Sequence, residues 1–464
     1  MMTALDQLLD KAKSHALAYR EADKSLTADY HAMRDRILAP TPETGADPGD
    51  VIDELVRLVD GGLQTTIGPR FFGWVMGASE PAGLAADWLV SAWGQNAGYQ
   101  NTAPAMAAIE QAAEAWLLDI LDLPRDSAIG FTTGATIANA TCLAAARSGV
   151  LLKAGWDPDA DGLFGAPPVH VLVGADAHAS VFAALQLIGF GRKRVVSIAT
   201  DEQGRMLPDA LETAIAPLTG PKLVIAQAGQ INTGDFDPFT EIAAIARAHD
   251  AWLHVDGAFG LWARATPGLK HLTAGIEACD SWATDGHKWL QVPYDSGFAI
   301  VRDKQMLQRA MTQWSSYLPT FGADDRVPSA YVPELSRRAR GIPVWALIKA
   351  YGRAGIAEMV DRHCRLARRF AERLAAEPGI QVLNDVVLNQ VIVNFGSGDA
   401  KARKASTEAV ISRVQHDGTC FVGGAQWRDD WVMRISVISA PTMDADVDAG
   451  ADAIIGAWRA VQGA

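Results

Sequence analysis

The chain has 464 residues, 49% hydrophobic and 20% charged, a composition that excludes bulk disorder and leaves ample apolar material for a large core. Its 41 basic and 54 acidic residues give a net charge of −13, which argues against a nucleic-acid partner because the field repels polyanions. A chain of this length holds about three domains, or one large α/β domain with appendages.

The first 60 residues carry helical apolar spacing around the turn-rich stretch at 41–50, and they predict an N-terminal helical arm over residues 1–75. Acids and bases recur every few positions at the start of the chain, and no segment has 18 uninterrupted apolar residues. We therefore expect neither a signal peptide nor a membrane contact.

Six short apolar runs alternate with helix-like stretches from about residue 110 to 300, and they predict strands. They are VHVLVG at 169, RVVSIA at 194, KLVIAQAG at 222, AWLHVDG at 251, SWATDG at 281 and GFAIV at 297. Several are apolar on both faces, as strands of a helix-covered parallel sheet must be. The pattern predicts an α/β fold with a large domain over residues 76–345.

A long helical passage from about 341 to 377 leads to the strand-like runs QVLN, QVIVNF and WVMRISVI, with a helix between them and another at the end. This alternation predicts a small C-terminal α/β domain over residues 346–464. The four cysteines lie far apart, without a C-x-x-C pair or a Cys/His cluster at ligand spacing. We expect a reducing, cytoplasmic environment and no metal.

The most informative residues are Asp256, just past one predicted strand, and Lys288, just past the next. In an α/β sheet both would project into the crevice at the carboxyl ends of the strands. An acid and a lysine that converge there suit pyridoxal phosphate, which needs a lysine for its Schiff base and an anion to keep the ring nitrogen protonated. Signatures of nucleotide-binding loops, zinc proteases and serine hydrolases are absent from the sequence.

Eight ordered motifs carry a resemblance to a known family. They are PRFFGWV at 69, GFTTGATIAN at 130, DAHAS at 176, DEQGRM at 201, NTGDFDP at 232, HVDGAFG at 254, DGHKWLQVPYDSG at 285 and MRIS at 433. In these motifs the sequence resembles the group II pyridoxal-phosphate-dependent amino-acid decarboxylases, which include the aromatic-L-amino-acid, histidine and glutamate decarboxylases. The resemblance implies a fold-type I large domain with a mostly parallel sheet, and pyridoxal 5'-phosphate as cofactor.

The resemblance also assigns roles to residues. Lys288 matches the Schiff-base lysine, Asp256 the partner of the ring nitrogen, and His178 the histidine that stacks on the ring and contacts the scissile carboxylate. Without the resemblance, Asp256 would read as a helix N-cap and His178 as a loop histidine. The implied cofactor contacts also include Ala135 and Thr136 at the phosphate, Ala258 beside the ring and His287 next to the lysine, with Asp285 held more loosely.

Arg434 matches an arginine that binds the substrate α-carboxylate in glutamate decarboxylases of the family, although a structural ion pair is the alternative. Phe71 and Phe72 are candidate apolar walls of the substrate pocket, with an ordinary core position equally open for either. Tyr331 matches the catalytic-loop tyrosine only with a gap, because the preceding loop is shorter than in many members.

The expected reaction is α-decarboxylation of an L-amino acid, with carbon dioxide and an amine as products. Phe71, Phe72 and Trp74 favour an aromatic substrate, whereas the small, polar residues Asn96 to Gly98 leave an acidic one open. An aldehyde synthase and a carbon–carbon lyase share the same core residues, and a non-enzymatic binding protein is the third rival. The resemblance implies a homodimer with active sites at the interface.

Overall fold

The protein is described by a computed structural model that covers residues 3–22, 24–312 and 325–463. Three helices form the N-terminal arm: α1 (Ala4–Glu21), α2 (Tyr30–Ile37) and α3 (Pro48–Val59). Thr3 caps α1 and Asp47 caps α3, each through its side-chain oxygen. None of these three helices has a buried residue. The arm therefore leaves its apolar stripes uncovered by its own chain.

The large domain alternates helices and strands. In chain order these are α4 (Pro81–Trp93), α5 (Pro104–Ile120), β1 (Ala128–Thr132), α6 (Ala135–Lys153), α7 (Pro158–Asp161), β2 (His170–Gly174), α8 (Ala179–Leu187), β3 (Val195–Ile198), α9 (Pro208–Ile215), β4 (Lys222–Gln227), α10 (Phe239–Ala248), β5 (Ala251–Asp256), β6 (Ser281–Asp285), β7 (Gly297–Val301) and α11 (Lys304–Met311). The six predicted strands are all present, and β1 was missed.

The large sheet has seven strands in the order β1-β7-β6-β5-β4-β2-β3. Neighbouring strands pair in parallel from β3 to β6, and β7 pairs antiparallel with both β6 and β1. Every residue of β4, β6 and β7 is buried, because helices cover both faces of the sheet. The expected α/β fold with a mostly parallel sheet is confirmed.

The C-terminal part begins with α12 (Gly341–Ala375) and continues with β8 (Ile380–Val382), β9 (Gln390–Phe395), α13 (Ala400–Asp417), β10 (Gly423–Trp427), β11 (Asp430–Ser436) and α14 (Asp444–Gln462). Its four strands form an antiparallel sheet in the order β10-β11-β9-β8. Gly352, at φ 62°, interrupts the helical backbone of α12. The predicted domain boundary at 345/346 lies within this helix and stays a prediction.

One helix in the described part of the chain, α6, is long and apolar enough to cross a membrane by length and composition alone. Most of its residues are buried, and it packs against β6 and β7 on one side and α8 and α11 on others. α6 is therefore apolar because it is a core helix of the large domain.

Candidate active site

Three residues meet at the carboxyl edge of the large sheet because their strands run in parallel. Asp256 ends β5, Gln227 ends β4 directly opposite it in register, and Lys288 follows the end of β6 by three residues. His178 lies just before α8, in the connection that leaves β2. A cavity at this edge is lined by His178, Gln227, Gly229, Ile231, Asp256, Ala258, Phe259 and Lys288.

Asp256 is a buried carboxylate with a single hydrogen-bond donor among the described residues. The backbone N–H of Ala258 donates to Oδ1 of Asp256 at 3.2 Å. Only 3% of Asp256 is exposed. Burial raises the pKa of Asp256, whereas the charges of His178 and Lys288 act to lower it. A buried carboxylate is stable as an anion only beside a cation or further donors. The protonated ring nitrogen of pyridoxal phosphate meets that requirement.

Lys288 extends into the same cavity on a closely packed turn. Its Nζ lies 2.9 Å from Asp285 Oδ2 and 5.9 Å from the ring centroid of Phe259. Gly77 passes behind this turn, and its N–H donates to the carbonyl oxygen of His287 at 3.1 Å. A Cβ on Gly77 would lie 2.8 Å from that oxygen and closer still to the carbonyl oxygen of Lys288. The close packing of Gly77 therefore fixes the position of the Lys288 backbone.

The N-terminus of α6 faces Asp285 and provides an anion site. The N–H of Ala135 donates to Asp285 Oδ1 at 2.6 Å, and Thr136 is the next residue of the helix. Gly297 allows the close approach of β7, because a Cβ there would lie 2.6 Å from the carbonyl carbon of Gly134. The N–H of Ala135 is taken by Asp285 in this structure, while the helix dipole favours an anion at such a terminus. Ala135 and Thr136 lie at this terminus, and their contact with the cofactor phosphate stays a prediction.

His287 lies beside this anion site. Its Nδ1 accepts a hydrogen bond from the N–H of Ser296 at 3.2 Å, and its Nε2 lies 3.6 Å from Asp285 Oδ1. The ring of Tyr294 stacks on it, with centroids 4.4 Å apart. Burial lowers the pKa of His287, and the nearby Asp285 opposes that change. The ring is thus oriented with one N–H toward the carboxylate.

Arg434 lies on β11 of the small sheet, where its register partners are Gly423 on β10 and Ile392 on β9. It is mostly buried, and burial lowers its pKa. It does not line the cavity at Lys288, but its charge acts to lower the pKa of His178. Within the described ranges Arg434 has no ion pair or hydrogen bond, which removes the structural ion pair as an explanation of its position. A buried guanidinium without a partner suits an anionic ligand.

Phe72 does not line the cavity at Lys288, and the core position that the sequence left open for it is the one observed. Its exposed fraction is 1%, its ring packs edge-on against Phe370 with centroids 5.1 Å apart, and it belongs to the core of the small domain. Phe71 is also buried, and it stacks on Phe421 with centroids 4.8 Å apart. Backbone hydrogen bonds to Phe421 and Ser436 dock this segment onto the small sheet. Neither phenylalanine is among the residues that line the cavity at Lys288.

Tyr331 is buried outside the cavity at Lys288. It ends a short 3₁₀ helix, its exposed fraction is 1%, and its hydroxyl accepts a hydrogen bond from Gln308 Nε2 at 3.2 Å. The guanidinium of Arg326 covers the tyrosine ring at 4.5 Å. Tyr331 does not line the cavity in this chain, and its role as a catalytic-loop tyrosine stays a prediction.

Gln227, Ile231 and Phe259 line the cavity and were missed by the sequence reasoning. Gln227 could have been found by the argument used for Asp256, since it also ends a predicted strand. Phe259 lies within the HVDGAFG motif, three residues after the aspartate. No periodicity or spacing signal marks Ile231, which enters through the loop after β4.

Comparison with known proteins agrees with this geometry. The pyridoxal-dependent decarboxylase conserved domain matches residues 31–395. An aromatic-L-amino-acid decarboxylase of Bacillus atrophaeus is 28% identical over 454 residues, covering 94% of this chain and 91% of its own. A 4-hydroxyphenylacetaldehyde synthase of Rhodiola rosea is 26% identical over 430 residues, covering 89% and 84%. Acidic amino acid decarboxylases are also among the relatives.

The fold has solved counterparts. Oryza sativa TDC, crystallised with PLP and tryptamine, superposes with a TM-score of 0.91 at 22% identity and covers 99% of each chain. Fold and site together define a fold-type I pyridoxal-phosphate enzyme. The chain belongs to the pyridoxal-dependent decarboxylase family, and it is a carboxy-lyase with pyridoxal phosphate as cofactor.

Proposed function

We propose that the protein decarboxylates an aromatic L-amino acid to the corresponding amine and carbon dioxide. The observation that carries this proposal is the set of residues around the cavity. Among the described residues that line it, Lys288 is the one lysine or arginine, and it is paired with Asp285 at 2.9 Å, so no free cation is placed to receive a side-chain carboxylate. The mostly buried guanidinium of Arg434 has no partner among the described residues and suits the α-carboxylate of any amino acid. Phe259 and Ile231 supply apolar surface instead.

Each site residue has a distinct task in this reaction. Bound pyridoxal phosphate supplies an electron sink, which takes the electron pair released when the bond from Cα to the carboxylate breaks. Lys288 is placed to hold the cofactor covalently, and Asp256 holds a proton on the ring nitrogen through a charged hydrogen bond. Arg434 binds and orients the α-carboxylate. Carbon dioxide leaves, and Cα receives a proton in its place.

We assign the source of that last proton to Lys288. Its side-chain nitrogen lies in the cavity, 2.9 Å from Asp285 Oδ2. His178 also lines the cavity, but burial lowers its pKa, and a neutral imidazole is a much weaker acid than an ammonium group.

The deciding experiment offers the purified holoenzyme each common L-amino acid and identifies products by mass. We expect an amine from tyrosine, tryptophan or phenylalanine, with higher kcat/KM than for glutamate or aspartate. A higher kcat/KM for either acidic substrate would refute the aromatic assignment. An aldehyde with ammonia and hydrogen peroxide would instead identify an aldehyde synthase.

We also propose a homodimer, in which the arm covers a second copy of this chain. The arm helices have no buried residue, and Leu5, Leu9 and Leu17 of α1 are 62%, 53% and 51% exposed. Exposed leucines four and eight residues apart form one apolar stripe, which a stable protein covers. Light scattering of the wild type and of Leu9→Glu tests this proposal. A monomeric wild type, or a variant that stays dimeric with unchanged dissociation, would contradict it.

A further inference from the structure

His178 is held at one ring nitrogen by a single residue, Ser180. The Nδ1 atom of His178 lies 3.3 Å from the backbone nitrogen of Ser180 and 2.8 Å from its hydroxyl oxygen. A backbone N–H can only donate, so Nδ1 is the acceptor in this contact. In a neutral imidazole the other nitrogen then carries the proton. The geometry therefore selects the tautomer protonated at Nε2.

Four charged groups face this ring from other elements. Asp256 on β5 and Asp285 on β6 favour a positive charge on it, whereas Lys288 and Arg434 on β11 disfavour one. Loss of hydration at the ring is the largest effect, and the pKa of His178 lies below its usual value. Asp176, two residues before His178, forms an ion pair with Arg428 at 3.0 Å. The lowered pKa favours the neutral ring, which has one donor nitrogen.

We propose that Ser180 is a positioning residue, which fixes the tautomer of His178 so that the ring presents Nε2–H to the α-carboxylate of the substrate. This inference rests on the proposed function. The opposite tautomer would present a lone pair to a carboxylate oxygen and repel it. Ser180 does not contact the substrate, because its N–H and its hydroxyl are both engaged with Nδ1 of His178. It acts only through the histidine.

The test compares Ser180→Ala with Ser180→Thr in the holoenzyme, and it uses Ser14→Ala as a matched control. Ser14 is a helical serine in the arm whose hydroxyl donates to the carbonyl oxygen of Asp10 at 2.8 Å. Nitrogen-15 spectra of ring-labelled histidine report which nitrogen carries the proton, and His178→Gln assigns the resonance. These spectra do not depend on which amino acid is the substrate.

In the wild type we expect the His178 spectrum of an Nε2–H imidazole. Ser180→Ala removes the hydroxyl but keeps the backbone N–H, so the Nε2–H tautomer should persist while kcat/KM falls about fivefold, the effect of one lost hydrogen bond. It should also move the acid limb of the pH profile to higher pH, because donors to Nδ1 stabilise the neutral ring. Ser180→Thr, which keeps the hydroxyl, and Ser14→Ala should behave as wild type.

Two outcomes overturn the inference. One is a wild-type spectrum with the proton on Nδ1, and the other is a Ser180→Ala variant with unchanged kcat/KM and an unchanged pH profile. If no amino acid is decarboxylated at all, the proposed function fails, yet the spectra still decide the tautomer. The two failures are therefore separable.

Discussion

Trp289 and His363 share a buried hydrogen bond beside the active-site lysine. The indole N–H of Trp289 donates to Nδ1 of His363 at 3.0 Å, and the other ring nitrogen of His363 donates to the carbonyl oxygen of Ser439 at 3.0 Å. Trp289 directly follows Lys288, whereas Ser439 lies in the segment after β11. This chain of hydrogen bonds ties the lysine turn to the domain that carries Arg434.

Replacement of His363 should change how stability depends on pH. Burial lowers the pKa of His363 to about 3, so its ring stays neutral in the folded protein while an unfolded histidine binds a proton below about pH 6.5. The folded state loses stability as the pH falls from about 6.5 toward 3, by up to about 1.4 kcal/mol per pH unit from this group. His363→Gln keeps an acceptor and a donor but does not titrate there.

Urea unfolding of wild type and His363→Gln at pH 7.5 and 5.0 measures this difference. The variant should lose less stability between the two pH values than the wild type does. An equal loss in both proteins would mean that the histidine is protonated when folded.

Lys288 should carry the cofactor covalently. Lys288 lines the cavity together with Asp256, and Gly77 packs against the carbonyl oxygens of His287 and Lys288. Borohydride reduction followed by peptide mass analysis should place the adduct on Lys288, and Lys288→Ala should lose both the adduct and turnover. Recovery of the adduct on another lysine would exclude this assignment.

Asp256→Asn should lower turnover by orders of magnitude without unfolding the protein. The buried carboxylate is the anion that keeps the ring nitrogen protonated, and an amide of the same shape does not hold that proton. Circular dichroism and the thermal midpoint serve as controls for folding. Near-normal kcat in a folded variant would place the partner of the ring nitrogen elsewhere.

Arg434→Gln should raise KM for the amino acid by at least about tenfold, the cost of losing a charged hydrogen-bond donor to a carboxylate. Affinity for pyridoxal phosphate should change little, because Arg434 does not line the cavity at Asp256 and Lys288. Arg459→Gln is the matched control, since Arg459 is a surface arginine paired with Glu377 at 2.6 Å. A variant with wild-type KM would leave the α-carboxylate without its proposed partner.

Glu110 should be essential for stability rather than chemistry. It is 2% exposed and pairs with the buried Arg326 and Arg337 at 3.1 and 2.8 Å. Burial acts to raise the pKa of Glu110, yet the two arginines outweigh it and hold the pKa below the usual range. Glu110→Gln leaves buried positive charge uncompensated and should cost about 3–5 kcal/mol of unfolding free energy, measured in urea. A loss no larger than that of the exposed control Glu358→Gln would contradict this, because Glu358 pairs with Arg362 while its side chain is 62% exposed.

Strand positions were predictable where apolar runs are bounded by helix patterns. Asp256 and Lys288 were brought together by strand order alone, because parallel strands share one carboxyl edge. β1 was missed since its five residues merge with the glycine-rich motif that follows, and β10 was missed because GGAQW lacks an apolar run. Antiparallel β7 was not distinguishable from its parallel neighbours, since all are fully buried.

Side-chain direction was the part that the sequence left open. Phe71 and Phe72 are adjacent, and only the docking of residues 70–72 onto the small sheet decides which ring enters the core. Tyr331 was matched to the catalytic-loop tyrosine only with a gap, and no local pattern indicates that Arg326 covers its ring. Gln227 ends a predicted strand as Asp256 does, but a glutamine there is a weaker sign of a site than an acid. These are tertiary choices that local periodicity does not encode.

The glycine at position 77 has a consequence for reading natural variation. Gly77 does not have the positive φ angle that favours glycine, and it has no side chain to contact a ligand. An alanine there would nevertheless collide with the main-chain oxygens of His287 and Lys288. The substitution Gly77→Ala adds only one methyl group, yet it displaces the backbone of the active-site lysine. Among natural variants it belongs with substitutions of Lys288 itself.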